Sequence, residues 1–341
     1  MTMYIIIIVS VIILAGFIYL LSIKGNYEIR RSYTMNASLE TVFDKLCDFK
    51  SWPEWNPWLI HEPETRLEYS DDCNQEGGSY SWDGKYIGAG TMTHQTLQRP
   101  TLLQNKLEFT RPFKSVCDVS FELKEKDERE GDNWLEKTEV TWIMHGRMPF
   151  LFRFMIPKTK DLISKDYDLG LAMLAGKIDP NSPHPRLRFD GKINLEPKLY
   201  LSKPFEGYIE QLEQAMQSGF VELIDYVQQQ KIGMTGKPMT IYHKVNTKKM
   251  HFVCDMAVPV NDATKKKDYP IKKFSGGRYY KVTLQGAYRF LELAWHSAYS
   301  HVCVTRIKID KKRPALEVYE NEPNSITTTN SLISSLYIPV K

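Results

Sequence analysis

The period of the hydrophobic positions changes several times along the chain, and each change predicts a different element. Residues 4–23 contain no charged side chain and are dominated by Ile, Leu and Val. At about 1.5 Å per residue that run spans roughly 30 Å, the hydrocarbon thickness of a bilayer, and predicts a transmembrane helix. No Lys or Arg precedes it, and it ends Leu20-Leu21-Ser22-Ile23-Lys24 without a small-x-small site, so an uncleaved anchor is expected rather than a signal peptide. Lys24, Arg30 and Arg31 follow the run, which by the positive-inside rule puts the remainder of the chain in the cytoplasm. Residues 27–35 then read as a strand. Asn36 or Ser38 can cap a short helix whose apolar side is Val42, Phe43, Leu46 and Phe49.

From residue 78 the period becomes two. Residues 78–82, 90–97, 102–110, 115–124 and 135–144 alternate or are rich in β-branched and aromatic side chains, separated by Gly, Pro and a charged turn at 125–132. That pattern predicts an antiparallel meander. Helical spacing returns at 161–178 and closes the first unit. Three prolines and several charges at 179–192 predict a linker. The remainder repeats itself: strand (200–202), helix (207–231), strand (239–245) and strand (251–260) are followed by strand (278–284), helix (288–306), strand (315–320) and strand (332–340). The endings Val258-Pro259-Val260 and Ile338-Pro339-Val340 recur about eighty positions apart. A duplicated β-α-β-β unit pairs its halves about a pseudo-twofold axis and leaves a groove between its helices.

Length and composition restrict the picture further. A chain of 341 residues suits two ordinary cores better than one. The expected division is an anchor at 1–25, a first domain at 26–178, a linker at 179–192 and a second domain at 193–341. A net charge of +4 is too small to imply nucleic acid. Lys265, Lys266 and Lys267 form a basic run without interleaved aromatics, which reads as a solvated loop. Five scattered cysteines with no C-x-x-C pair argue against disulfides and structural zinc and fit a reducing compartment. His296 and His301, five apart on a predicted helix, do not share a face, so no metal site is expected. Nucleotide-binding and serine-hydrolase motifs are absent, and no cofactor is expected.

Two resemblances sharpen these expectations. Asn36-Ala37-Ser38-x-Glu40-x-Val42-Phe43 followed by Asp48-Phe49-x-x-Trp52-Pro53-x-Trp55-Asn56-Pro57-Trp58 resembles the SRPBCC (Bet v 1/START-like, polyketide cyclase/dehydrase-type) family over about residues 26–178. The resemblance implies a helix-grip fold, a curved antiparallel sheet around a long C-terminal helix enclosing an apolar cavity. Trp55, Trp58 and Trp82 are its candidate lining, although such indoles also brace folds. Gly219-Phe220-x-x-Leu223-x-x-Tyr226-Val227, Gly276-Gly277-x-Tyr279, Trp295, Leu316-Glu317-Val318-Tyr319-x-Asn321-x-Pro323 and Leu336-Tyr337-Ile338-Pro339-Val340 resemble the GyrI-like, or AraC effector-binding, family over residues 193–341. That resemblance implies an inter-repeat groove for amphipathic or cationic small molecules, with an acid on the E-x-Y strand and aromatic walls. Many relatives carry this domain beside a helix-turn-helix; here an anchor and the SRPBCC-like segment take its place.

The expected class is therefore α+β: a transmembrane helix, a START-like sheet domain and a duplicated β-α-β-β domain. Glu317 and Tyr319 share one strand face and are the candidate acid and its neighbour, with Trp295, Tyr288, Tyr242 and Tyr337 as candidate walls or plain core. The alternative for Glu317 is an outward position on an edge strand. The leading expectation is a non-enzymatic, membrane-anchored binder. Two alternatives stay open: a hydrolase of reactive electrophiles using Glu317 as base and Tyr319 as proton donor, and an inhibitor acting on a protein partner.

Overall fold

A computed structural model describes residues 2–126, 128–130, 133–261, 268–321 and 326–341. The basic run at 265–267 and Pro323 lie outside the described residues. The chain divides into two compact units, Met1–Ser182 and Pro183–Lys341. Each is built on an antiparallel sheet, so the architecture is α+β with an apolar N-terminal helix.

In the first unit, α1 (Thr2–Ser22) coincides with the apolar run, and none of its membrane-length segment is buried. It is long and apolar enough to cross a membrane by length and composition. The elements that follow are β1 (Asn26–Met35), α2 (Leu39–Cys47), β2 (Arg66–Tyr69), β3 (Ser79–Asp83), β4 (Ala89–Gln98), β5 (Leu102–Arg111), β6 (Ser115–Glu125), β7 (Glu128–Glu130), β8 (Asn133–Leu135), β9 (Thr138–Arg147) and α3 (Ile156–Ile178). Seven strands form one sheet in the order β1-β9-β6-β5-β4-β3-β2, while β7 and β8 pair separately where a charged turn was expected. Ser38 caps α2 by accepting from the Thr41 amide, which leaves Val42, Phe43 and Leu46 to face the core.

The Trp-Pro segment forms 3₁₀ turns at Phe49–Glu54, which contains Pro53, and at Leu59–His61, and is tied down by side chains. The Trp52 indole donates to the Leu46 carbonyl at 2.9 Å, and Asn56 Oδ1 accepts from the Trp58 and Leu59 amides. α3 approaches the sheet through small residues: a Cβ on Gly170 would meet Pro57 and Trp142 at 3.0 Å. The Tyr167 ring of α3 stacks on Trp142 of β9 at 3.9 Å. Trp52, Trp55, Trp142, Tyr167, Phe43, Phe49 and Phe121 are all fully buried. Where the resemblance implied an enclosed apolar cavity, these rings occupy the space between helix and sheet.

The second unit consists of β10 (Arg186–Leu195), β11 (Lys198–Tyr208), α4 (Ile209–Gln229), β12 (Met239–Asn246), β13 (His251–Val260), β14 (Ile271–Phe274), β15 (Gly277–Gln285), α5 (Leu291–Val304), β16 (Ala315–Tyr319) and β17 (Ile333–Pro339). Its sheet order is β10-β15-β17-β16-β12-β13-β11-β14. The runs β11-α4-β12-β13 and β15-α5-β16-β17 therefore occur in mirrored order and meet where β12 pairs with β16. Residues 186–192, expected in the linker, belong instead to β10, which pairs with β15. The charged alternation Arg186, Arg188, Asp190 and Lys192 conceals this strand because only its partly buried face packs, and an edge strand tolerates charge on the other. Gly277, at φ +128°, occupies a backbone region closed to most side chains, and a Cβ there would strike the Arg313 guanidinium.

Candidate functional site

The junction of the two mirrored runs sets the site. Thr240 of β12 pairs directly with Glu317 of β16, and Tyr242 and Tyr319 stand two residues beyond on their own strands. Alternation then turns all four side chains to one face. That face is covered by the helices: Phe220 of α4 meets the Tyr319 ring edge-on at 5.3 Å, and Trp295 of α5 meets the Tyr242 ring edge-on at 6.0 Å. Tyr288, ahead of α5, adds a second edge contact on Tyr319 at 5.5 Å. Gly219 lets α4 lie close, since a Cβ there would sit 2.3 Å from Met256 Sδ.

Glu317 is 1 % exposed at the floor of this arrangement. The Tyr319 hydroxyl donates to Oε1 at 2.5 Å, and the Trp295 indole and the Tyr242 hydroxyl donate to Oε2 at 2.7 and 3.4 Å. The Tyr319 oxygen is also 3.0 Å from Thr240 Oγ1. Burial drives the Glu317 pKa above its ordinary value, and the three hydrogen bonds offset only part of that rise. Burial, followed by the nearby Glu317 charge, holds both tyrosines well above their ordinary pKa, so they remain donors. The surrounding rings of Tyr242, Phe220, Tyr288, Trp295 and Tyr319 are only half-buried. The result is a closed bowl, with a carboxyl at its base beneath partly buried aromatic rings. Trp295 stacks on Tyr299, itself 41 % exposed.

One candidate does not belong to the bowl. Tyr337 pairs with Leu316, not Glu317, and so projects from the opposite face, beside Tyr279 at 6.5 Å. There it lines a cavity of about 210 Å³ with Leu195, Lys198, Met239, Phe274 and Glu320. The edge-strand alternative for Glu317 is also overturned, because β16 lies between β12 and β17 in mid-sheet.

Sequence reasoning missed a second buried carboxyl. Asp255, 1 % exposed, lies on the Tyr337 face, where His243 Nε2 sits 2.8 Å away, Lys272 Nζ 2.8 and 2.9 Å from its two oxygens, and the Tyr200 hydroxyl 3.2 Å away. Burial alone would raise its pKa; hydrogen bonds from His243 and Lys272 outweigh burial and hold it far below the carboxylate range. The signal available was a lone charge inside the apolar run Val253-Cys254-Asp255-Met256-Ala257.

In the first unit, Trp55 packs edge-on against Trp142 at 5.7 Å, and Trp58 touches both Trp142 and Tyr167 while its indole donates to Asp166. Trp82 sits apart from these, over Gly90 and edge-on to Phe109. Trp55 Nε1, Trp142 Nε1 and the Tyr167 hydroxyl are buried without a hydrogen-bond partner in the protein. Such donors cost roughly 1–3 kcal/mol each unless something accepts from them.

A search of curated proteins found no match. Among solved structures, the chain is similar to SAV2435 bound to tetraphenylphosphonium at 13% identity, covering 46% of this chain and 94% of that one with a TM-score of 0.34. It is similar to the C-terminal domain of EcmrR at 16% identity, covering 47% and 98% with a TM-score of 0.35. It is similar to protein MLL2253 from Mesorhizobium loti at 12% identity, covering 46% and 99% with a TM-score of 0.34. Residues 193–341 match the model of a described family, the GyrI-like small molecule binding domain.

Proposed function

We propose that the protein is a membrane-anchored binder of amphipathic cations, with the Glu317 bowl as its binding site. The observation that carries this reading is Glu317 itself, a carboxyl buried in mid-sheet with aromatic rings and no basic side chain among its hydrogen-bond partners. An ionised carboxylate in that setting gains most from a ligand that brings the missing positive charge and can shed its water readily. A lipophilic cation does both, and the faces of Trp295, Tyr242 and Tyr319 add cation–π attraction and apolar contact. A swing of the half-buried Trp295 indole opens the route to the carboxyl. Isothermal titration with tetraphenylphosphonium and with neutral triphenylphosphine oxide tests the reading. The cation is expected to bind at least about tenfold more tightly, ~1.4 kcal/mol; equal affinity for the two sinks it.

The first unit, read as START-like from its order of strand, helix, strands and long helix, holds a second apolar ligand in this proposal only when the rings that fill the space between helix and sheet part to admit it. Support comes from the three unpaired donors of Trp55, Trp142 and Tyr167, which would donate to an acceptor group of that ligand. The proposed domain division predicts that residues 183–341 alone melt in one cooperative transition, since both edge strands β10 and β14 lie within that segment. Calorimetry showing a broad, non-cooperative profile would mean that this unit needs residues before 183 for its core.

Retention of α1 as an anchor, with everything after Lys24 in the cytoplasm, is the proposed topology. An alkaline phosphatase fusion at Lys341 is expected to be inactive, and a fluorescent-protein fusion there bright. Phosphatase activity would reverse the orientation.

A further inference from the structure

Outside α1, the most exposed apolar side chains of the first unit gather at one end of its sheet. Phe150–Met155 forms a 3₁₀ turn in which Leu151, Phe152, Phe154 and Met155 are 67, 50, 56 and 40 % exposed. Phe113, 79 % exposed, occupies the turn between β5 and β6, and Val116 follows it at 54 %. The register brings these together: Asn26 pairs with Arg147, Asp118 with His145, and Phe109 with Ser115. The start of β1, the end of β9 and the β5–β6 turn are therefore at the same end of the sheet.

This is also the end at which α1 enters. Only residues 23–25 separate α1 from β1, so β1 begins at most roughly 14 Å from the helix end. That short passage is fixed rather than loose. The Arg153 guanidinium donates to the Ile23 carbonyl at 3.1 Å, and the Met148 amide donates to the Gly25 carbonyl at 2.8 Å. A Cβ on Gly25 would meet both Arg153 and Met148 at 3.0–3.2 Å, so the chain packs tightly there. Phe150 then packs edge-on against Phe17 of α1 at 5.3 Å. Phe17 lies about five residues, roughly 7 Å, inside the helix end. A helix crossing the bilayer carries Phe150 to that depth with it.

We propose that this end of the first unit is a membrane-seating surface, in which the Phe150–Met155 turn and the Phe113 loop insert into the headgroup boundary of the leaflet from which α1 emerges. The proposal rests on the reading of α1 as a spanning helix. Its occupant is the lipid surface rather than a protein, because the patch continues the exposed face of α1 and its 3₁₀ turn is flanked by cations. Arg147, Arg153, Lys158 and Lys160 fall around the turn, Lys114 follows Phe113, and no acidic residue occurs between His145 and Asp161. Aromatic and aliphatic side chains beside basic ones suit the zone where acyl chains meet phosphates. The consequence is a first unit held at a fixed height and orientation against the bilayer, not swinging on a tether.

The test uses the full chain in phosphatidylcholine–phosphatidylglycerol vesicles. Cys303, the exposed cysteine among the described residues, is replaced by Ser, while Cys47, Cys73, Cys117 and Cys254 are buried and stay. An environment-sensitive NBD label is placed on Phe152→Cys, Phe113→Cys, Leu135→Cys or Leu14→Cys. Leu135 lies near the start of β9, at the far end of the sheet, and serves as the water-exposed control. Labels at 152 and 113 are expected to be quenched by lipids with a shallow nitroxide at least about three times as strongly as the label at 135, and shielded from aqueous iodide. The label at 14 is expected to respond to a deep nitroxide. Iodide quenching at 152 and 113 equal to that at 135, with 14 still quenched by the deep nitroxide, overturns the seating surface while leaving the anchor intact. Loss of deep quenching at 14 overturns the spanning reading and the seating surface with it.

Discussion

Glu317→Gln weakens binding of a lipophilic cation by about 10- to 100-fold, the ~1.5–3 kcal/mol of a charge-assisted contact, and leaves a neutral analogue of the same shape nearly unaffected. Glutamine fits the site. Its carbonyl accepts from the Trp295 indole, and its amide faces the Tyr319 hydroxyl, which can accept in turn. The variant thus removes charge rather than packing, and titration calorimetry reads the difference. Affinity should also depend on pH. The folded protein holds Glu317 above its ordinary pKa, so the carboxylate that attracts the cation is lost as pH falls through that raised value. Wild-type affinity therefore declines on acidification, and the Gln variant shows a flat profile. Stability moves in the opposite sense: a raised folded-state pKa makes the contribution of Glu317 less favourable as pH rises from its ordinary value to the raised one. Equal cation affinity in wild type and variant at every pH would show that Glu317 takes no part in binding.

Tyr319→Phe separates the binder from the hydrolase alternative, for which the 2.5 Å contact between Tyr319 and Glu317 is the favouring observation. A binding site loses one of three donors to the carboxyl and a few-fold in affinity. An acid–base pair loses roughly 10²- to 10⁴-fold in turnover of an electrophilic ester or epoxide.

What could be read from the sequence follows what each pattern encodes. The apolar helix was legible because no position from 4 to 23 carries a charge and Ile, Leu and Val dominate the run. Glu317 and Tyr319 were legible as a pair because i and i+2 on a strand share a face whatever the partners are. Tyr337 was misassigned because β17 is buried on both faces, so alternation offers no way to choose between them. The pairing of Thr240 with Glu317 and the packing of Phe220 on Tyr319 depend on register and on helix docking, and neither leaves a local trace. β10 was hidden by the charges on its exposed face and the prolines that precede it. The partners of Asp255 come from Tyr200, His243 and Lys272, three strands whose adjacency only the sheet order reveals. Local chemistry was readable, and cross-strand chemistry was not.

That hidden network sets the largest expected change in stability. Asp255→Asn lowers the stability of the second unit by about 2–4 kcal/mol at neutral pH, because it leaves the groups gathered around a buried charge without that charge. Lys272 and His243 have side chains 40% and 38% exposed, so both can regain water, which keeps the loss below that of a fully buried pair. For a unit of this size the change corresponds to a fall of roughly 5–15 °C in melting temperature. The pH dependence follows from the depressed pKa. Stability supplied by Asp255 is complete above its ordinary value of 3.8 and is lost as pH falls toward the folded-state value. Wild type should therefore destabilise below that pH more steeply than Asp255→Asn, and the two melting curves should converge in acid. Glu317 titrates in the opposite direction, so a double variant with Glu317→Gln isolates the Asp255 contribution. Melting temperatures for wild type and Asp255→Asn that agree within about one degree at pH 7 would mean that Coulomb attraction in this cluster only balances its desolvation cost.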